Sequence, residues 1–176
     1  MRMIGLAGWS GAGKTTLLGR LIPLLIARGL EVSTLKHAHH GFDIDHPGKD
    51  SWQHRQAGAR EVLVASSRRW ALMHEQGGAA EPSLPALLAH LSPVDIVLVE
   101  GFRFEVHPKI EIHRAANAKP LLYPNDPSIV AIASDAPLRD VAIPLHHLDD
   151  IAAIADEVLA RAIAIGDVDW STRRAG

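Results

Sequence analysis

Gly8-Trp9-Ser10-Gly11-Ala12-Gly13-Lys14-Thr15 matches the pattern G-x-x-x-x-G-K-S/T at every fixed position. A short apolar run, Met3 to Ala7, precedes it and reads as a buried strand. Thr15 to Arg28 follows with Leu17, Leu18, Leu21, Ile22 and Leu25 at helical spacing, Gly29 as a stop and Pro23 as an expected kink. Glycines let the backbone fold back and approach an anion closely. Successive amide groups then converge as an anion nest, and the helix adds its positive N-terminal end. A lysine at position 14 reaches the β- and γ-phosphates as a point charge, and the Thr15 hydroxyl is placed for Mg²⁺. The segment therefore predicts a protein that binds a nucleoside triphosphate.

A chain of 176 residues, 47% of them hydrophobic, is expected to fold as one α/β domain with a substantial core. Eighteen Lys and Arg against 20 Asp and Glu leave a net charge of −2, which points to neither a nucleic-acid nor a membrane partner. With no cysteine, disulfides and thiolate metal sites are excluded. The apolar start is broken by glycines and ends in a lysine, unlike a signal peptide. The longest apolar segment, Leu17 to Ala27, is interrupted by Gly19, Arg20 and Pro23. A soluble, cytoplasmic protein is expected.

Glu31 to Lys36, Val94 to Val99, Lys109 to His113 and Ile129 to Ala133 read as further strands. The continuous apolar run 94–99, broken only by Asp95, suits a strand buried on both faces of a parallel sheet. Glu61 to Ala65 and Trp70 to His74 read as a hairpin about Ser66–Arg69. Asp50 or Ser51 is placed to cap a short helix ending at Gln56, Ser83 one carrying Leu84, Leu87, Leu88 and Leu91, and Asp149 a last one carrying Ile151, Ile154 and Val158. The alternation predicts a three-layer P-loop α/β fold over residues 1–165. Its sheet is mostly parallel, the hairpin is an antiparallel extension at one edge, and residues 166–176 form a loose tail.

Two segments add candidate site residues. Val97-Leu98-Val99-Glu100-Gly101 places a carboxylate at the carboxyl end of an apolar strand, where ligands collect in such sheets. Glu100 is thereby a candidate to hold a water on Mg²⁺ or to orient an attacking water. Lys36 to Ser51, reading KHAHHGFDIDHPGKDS, leaves the second strand without periodicity. Three readings of it stay open. It is a switch-like loop with Asp43 or Asp45 near Mg²⁺ and Lys36 or Lys49 near phosphate. It binds a transition metal through His37, His39, His40 or His46. Or it is a solvated loop without chemistry. The pair His146-His147 reads as ordinary surface or capping histidines.

Three blocks, the glycine turn at 8–15, the segment 36–51 and Val99-Glu100-Gly101-Phe102-Arg103, resemble the molybdopterin-guanine dinucleotide biosynthesis adapter (MobB) family over about residues 2–165. The first block is shared by many families; the second is far more specific. The resemblance implies GTP binding with at most feeble hydrolysis. It also implies homodimers and a partner, the guanylyltransferase that joins GMP to molybdopterin. Carried over by position, Gly11, Ala12, Gly13, Lys14, Thr15 and Thr16 bind the phosphates, and Glu100 and Gly101 line the site. No Asn-Lys-x-Asp guanine reader occurs. Asp135, after the 129–133 strand, stands where a base-reading loop is expected and offers acceptors for the guanine N1–H and 2-amino group. A plain turn aspartate is the competing account of that residue. Two other functions share the scaffold: a nucleotide-dependent metallochaperone, motivated by the histidines, and a small-molecule kinase, which needs an acceptor pocket and a base.

Overall fold

Strand β1 (Arg2–Ala7) is apolar at every position but its first and last-but-two, and the fold is assembled around it. The computed structural model describes residues 1–38 and 41–172, so His39 and His40 of the histidine-rich loop lie outside the described residues. Two compact units are present, one formed by 1–37 with 84–176 and the other by 38–83.

The larger unit carries α1 (Lys14–Ala27), β2 (Val32–Lys36), α3 (Leu84–Leu88), β5 (Ile96–Glu100), β6 (Lys109–His113), β7 (Ile129–Ser134), β8 (Leu145–His147), α4 (Ile151–Arg161) and β9 (Ile163–Ala164). The smaller carries α2 (Asp50–Gln56), β3 (Glu61–Ala65) and β4 (Trp70–His74). The sheet order is β2-β5-β1-β6-β7-β8, parallel throughout, with β9 pairing antiparallel against the start of β1. This is the expected mostly parallel α/β architecture, and every strand read from the sequence is present.

Side-chain alternation divides the sheet into two buried faces. On one, Ile4, Leu6, Ile96, Leu98, Ile110 and Ile112 meet Leu17, Leu21 and Leu25 of α1 and Ile154 and Val158 of α4. Each such buried aliphatic side chain contributes about 1.5–3 kcal/mol. On the other, Met3, Val97 and Val99 meet Leu84 and Leu88 of α3 with Phe102 and Val168. That face turns polar at β6, where Lys109 and Glu111 are buried.

Several local expectations are corrected. The hairpin β3–β4 forms its own two-stranded sheet and does not extend the main one. Residues after Gly166 are not a loose tail throughout, because Val168 is buried and Trp170 packs against the second core cluster. Asp150, not Asp149, caps α4 by accepting from the Ala153 N–H at 3.0 Å, while Asp149 pairs with Arg20 at 2.7 Å. Lys49 stands at the N-cap of α2, whose backbone has no side-chain cap. His146 and His147 lie on β8, a strand not read from the sequence, with His146 half-buried and His147 exposed. His146 Nε2 lies 3.1 Å from a Glu157 oxygen, and His147 Nδ1 accepts the Asp149 N–H.

In the smaller unit Arg55 is the hub. Its Nη2 donates to both Asp43 oxygens at 2.8 and 2.6 Å, its Nη1 to Glu75 at 2.9 Å, and its Nε faces Asp45 at 3.4 Å. These carboxylates hold its pKa above the ordinary arginine value.

His107 leads into β6 fully buried, and neither ring nitrogen has a hydrogen-bond partner. A Cβ on Gly5 would stand 2.4 Å from its Nε2, which explains a glycine inside β1. Burial, reinforced by Lys109 and opposed by Asp126, pushes its pKa down to about 3. Below the unfolded value of about 6.5 the unfolded chain takes up a proton that the folded chain refuses. Stability from this residue is therefore whole above that value and drains away as pH falls toward the folded pKa. Between pH 7 and pH 5 the loss is about 2 kcal/mol. Urea unfolding of wild type and His107→Leu across that interval is expected to show a flatter profile for the variant; parallel profiles would refute this account.

Candidate functional site

Parallel pairing brings the carboxyl ends of β1, β5, β2 and β6 to one edge of the sheet, and the turns leaving them form the site. The turn between β1 and α1 uses positive φ at Gly8 (142°), Gly11 (79°) and Gly13 (96°). Space as well as conformation requires Gly8, since a Cβ there would stand 2.5 Å from the Ile112 carbonyl oxygen of β6. Gly13 is the N-cap of α1 and offers no side chain, so the helix N-terminal amides have no side-chain acceptor at the cap.

Lys14 folds back on this turn. Its Nζ donates to the Gly8 carbonyl at 2.7 Å and the Trp9 carbonyl at 3.1 Å. Burial lowers its pKa, Glu100 raises it in compensation, and Lys36 lowers it further. Lys36 and Glu100 are direct neighbours in the β2–β5 register, with Lys36 Nζ 3.7 Å from a Glu100 oxygen. Ser10, Gly11, Gly13, Lys14, Thr15, Thr16, Lys36 and Glu100 together line a cavity of about 410 Å³. Thus the sequence-derived residues Gly11, Gly13, Lys14, Thr15, Thr16 and Glu100 do converge. Ala12 is buried in the core beneath the turn.

Gly101 has φ 91°, and a Cβ there would lie 2.7 Å from the Cβ of His37. It permits the close passage of the β5 and β2 exits, where the His37 N–H donates to the Glu100 carbonyl at 2.8 Å. The His37 ring in turn lies 4.7 Å from that of Phe102. His37 is thereby accounted for by packing.

Asp43 and Asp45 belong to the smaller unit and are engaged there. Asp43 is bonded by Arg55, which lowers its pKa. Asp45 Oδ1 accepts from the His46 N–H and the Ser51 hydroxyl, each at 2.9 Å. No three His, Asp or Glu side chains among the described residues group as a metal site. Asp135 follows β7, and its Oδ1 accepts the Ala115 N–H at 2.8 Å while Oδ2 lies 3.5 Å from Arg114 Nη1.

Two residues escaped sequence reading. A Cβ on Gly13 would stand 3.2 Å from Arg114 Nη2, and Asn117 Nδ2 donates to the Ser10 carbonyl at 3.2 Å. Both follow β6, the strand beside β1. Their only sequence signal is that a parallel neighbour must end at the same edge.

The family model described as molybdopterin guanine dinucleotide synthesis protein B matches residues 3–135. The molybdopterin-guanine dinucleotide biosynthesis adapter protein of Escherichia coli K12 is 42% identical, the alignment covering 99% of this chain and 95% of that one. Its namesake from Haemophilus influenzae is 43% identical over 88% and 85% of the two chains. A crystal structure of molybdopterin-guanine biosynthesis protein B superposes with a TM-score of 0.71 at 26% identity, covering 90% of this chain and 98% of that one. The Bacillus subtilis MobB structure, at TM-score 0.72 and 24% identity, shares the fold. The chain belongs to the MobB family of adapters in molybdopterin guanine dinucleotide biosynthesis.

Proposed function

We propose that this adapter binds GTP with Mg²⁺ in the 8–16 turn and assists the guanylyltransferase that joins GMP to molybdopterin. One observation carries the reading: a half-buried lysine at a helix N-terminus, bonded among the described residues to the carbonyls of its own glycine turn, beside a cavity of about 410 Å³. A triphosphate offers that ammonium stronger, charged acceptors and removes the cost of its burial. Gly11, Gly13 and Thr16 supply main-chain donors and Lys36 a second cation, while the Ala12 N–H donates to the Trp9 carbonyl at 3.1 Å and shapes the turn. Thr15 holds the ion through its hydroxyl, and Glu100 holds it through a water. Asp43 and Asp45 are assigned to the Arg55 hub instead. Asp135 reads the guanine edge through Oδ2, its less committed oxygen. Hydrolysis is slow, since the described residues lining the cavity include no glutamine and Arg114, beside Gly13, is turned to Asp135. The site works in the cytoplasm; no helix among the described residues is long and apolar enough to cross a membrane.

A second copy of the chain is the other partner. Leu63 and Leu72 are directly paired across the β3–β4 hairpin and exposed at 61% and 43%, and Trp70 on the same face is exposed at 66%. An apolar sheet face of this kind marks an interaction surface.

Three measurements test these readings. Lys14→Ala is expected to fold normally and lose at least about 100-fold in GTP affinity by calorimetry, in line with a charge-assisted contact to phosphate. Unchanged affinity would remove Lys14 from the role. Asp135→Ala is expected to bring GTP and ATP affinities together; a retained preference would clear Asp135 of base reading. Trp70→Glu is expected to convert a dimer to a monomer in sedimentation, and a variant as dimeric as wild type would move the interface elsewhere.

A further inference from the structure

A second cavity, of about 280 Å³, opens over the polar half of the sheet and is lined by Trp9, Arg103, Phe104, Pro120, Leu121, Leu122, Asn125 and Asp126. We infer that it is a binding site for a planar fused-ring heteroaromatic molecule carrying an anionic group, distinct from the phosphate cradle, with which its lining shares no residue though Trp9 belongs to the same glycine turn. The inference does not rest on GTP binding.

The walls are held in place from beneath by buried polar side chains. One wall comes from the β5–β6 connection, the other from the β6–β7 connection. The ammonium of Lys109, wholly buried, donates to the Glu105 carbonyl in the first and, at 2.5 Å, to the Ser128 hydroxyl in the second. Asp126, also in the second, stands 3.8 Å from the same ammonium. Glu111, likewise buried, accepts the N–H groups of Leu122 and Tyr123 at 2.7 and 2.8 Å. From the glycine turn, the Trp9 indole N–H donates to the Pro120 carbonyl at 2.8 Å and fixes that ring. Burial raises the Glu111 pKa against those two bonds. An apolar pair at 109 and 111, continuous with Met3, Val97 and Val99, would avoid the desolvation cost. What the polar side chains supply instead is directional bonding to loop backbone, which is how a small site is preorganised.

The lining defines the ligand. Trp9 and Phe104 offer aromatic faces, with Pro120, Leu121 and Leu122 as apolar edges. Cations gather at the rings: Arg103 Cζ lies 4.5 Å from the Phe104 centroid and Lys119 Nζ 5.8 Å from that of Trp9. The one carboxylate in the lining, Asp126, is already compensated by Lys109. The surplus is positive, so a flat ring stacks while its anionic substituent meets Arg103. The volume is at the small end for ligand pockets and suits a two-ring molecule.

The probe is pterin-6-carboxylate, whose fluorescence reports stacking, titrated with the full chain. Saturable binding is expected, weakened about tenfold or more by Phe104→Ala, which removes a stacking face, and by Arg103→Gln, which removes the cation facing the anionic group. Phe104→Ala is expected to bind GTP as wild type does, and Lys14→Ala to bind the probe as wild type does. Probe binding without any GTP binding would sink the nucleotide reading and leave this one standing. No saturable binding, or binding indifferent to both substitutions, would overturn the inference.

Discussion

The site depends on how closely four parallel strand ends can approach. Gly8 passes the Ile112 carbonyl and Gly101 passes His37 at separations that leave no room for a Cβ. Those two contacts let the glycine turn sit between the exits of β5 and β6, so that Glu100, Lys36 and Lys14 share one cavity. The electrostatics follow from that crowding. Two ammonium groups and one carboxylate leave a surplus of positive charge, and among the described residues the lysine at its centre donates to neutral carbonyls. Each of these features lowers the cost of admitting a polyanion.

The two faces of the sheet are built by different rules. The face under α1 and α4 is aliphatic across β1, β5 and β6, and it makes the cradle's supporting helix rigid by ordinary apolar burial. The opposite face is aliphatic only across β1 and β5. At β6 it exchanges that filling for His107, Lys109 and Glu111; the last two bond to the loops, Glu111 through backbone and Lys109 through the Glu105 carbonyl and the Ser128 hydroxyl, and the His107 ring has no partner among the described residues. A chain that spends stability on one side of one strand is organising the loops above it, since no packing gain offsets the burial of those groups.

Much of this was legible in the sequence. The motif at 8–15 fixed the order strand, turn, helix, and the apolar run before Glu100 announced a central parallel strand, because both signals are local and strong. Glu100 and Thr15 could be brought to one place from topology alone. The polar face of β6 could not. Lys109 and Glu111 alternate with Ile110 and Ile112, which is how a half-exposed strand reads, and only the covering loops make it buried. Nor could Arg114 and Asn117 be found, since their segment has no periodicity and no motif. Asp43 and Asp45 were drawn toward the ion by their place after β2. Arg55, twelve and ten residues further on, is what actually engages them, and nothing in the sequence ranks that pairing above a metal.

An adapter need not be a good catalyst, and the geometry fits that division of labour. Fast phosphoryl transfer requires a group that stabilises the charge developing between nucleophile and leaving oxygen, commonly an arginine or a glutamine-held water. On the nucleotide reading proposed above, Lys14 and Lys36 would hold phosphates in the ground state, and binding that favours ground and transition state alike gives affinity without turnover. On that reading the nucleotide would stay intact beside the second, separately anchored cavity, as expected if the chemistry is completed by another protein docking over both.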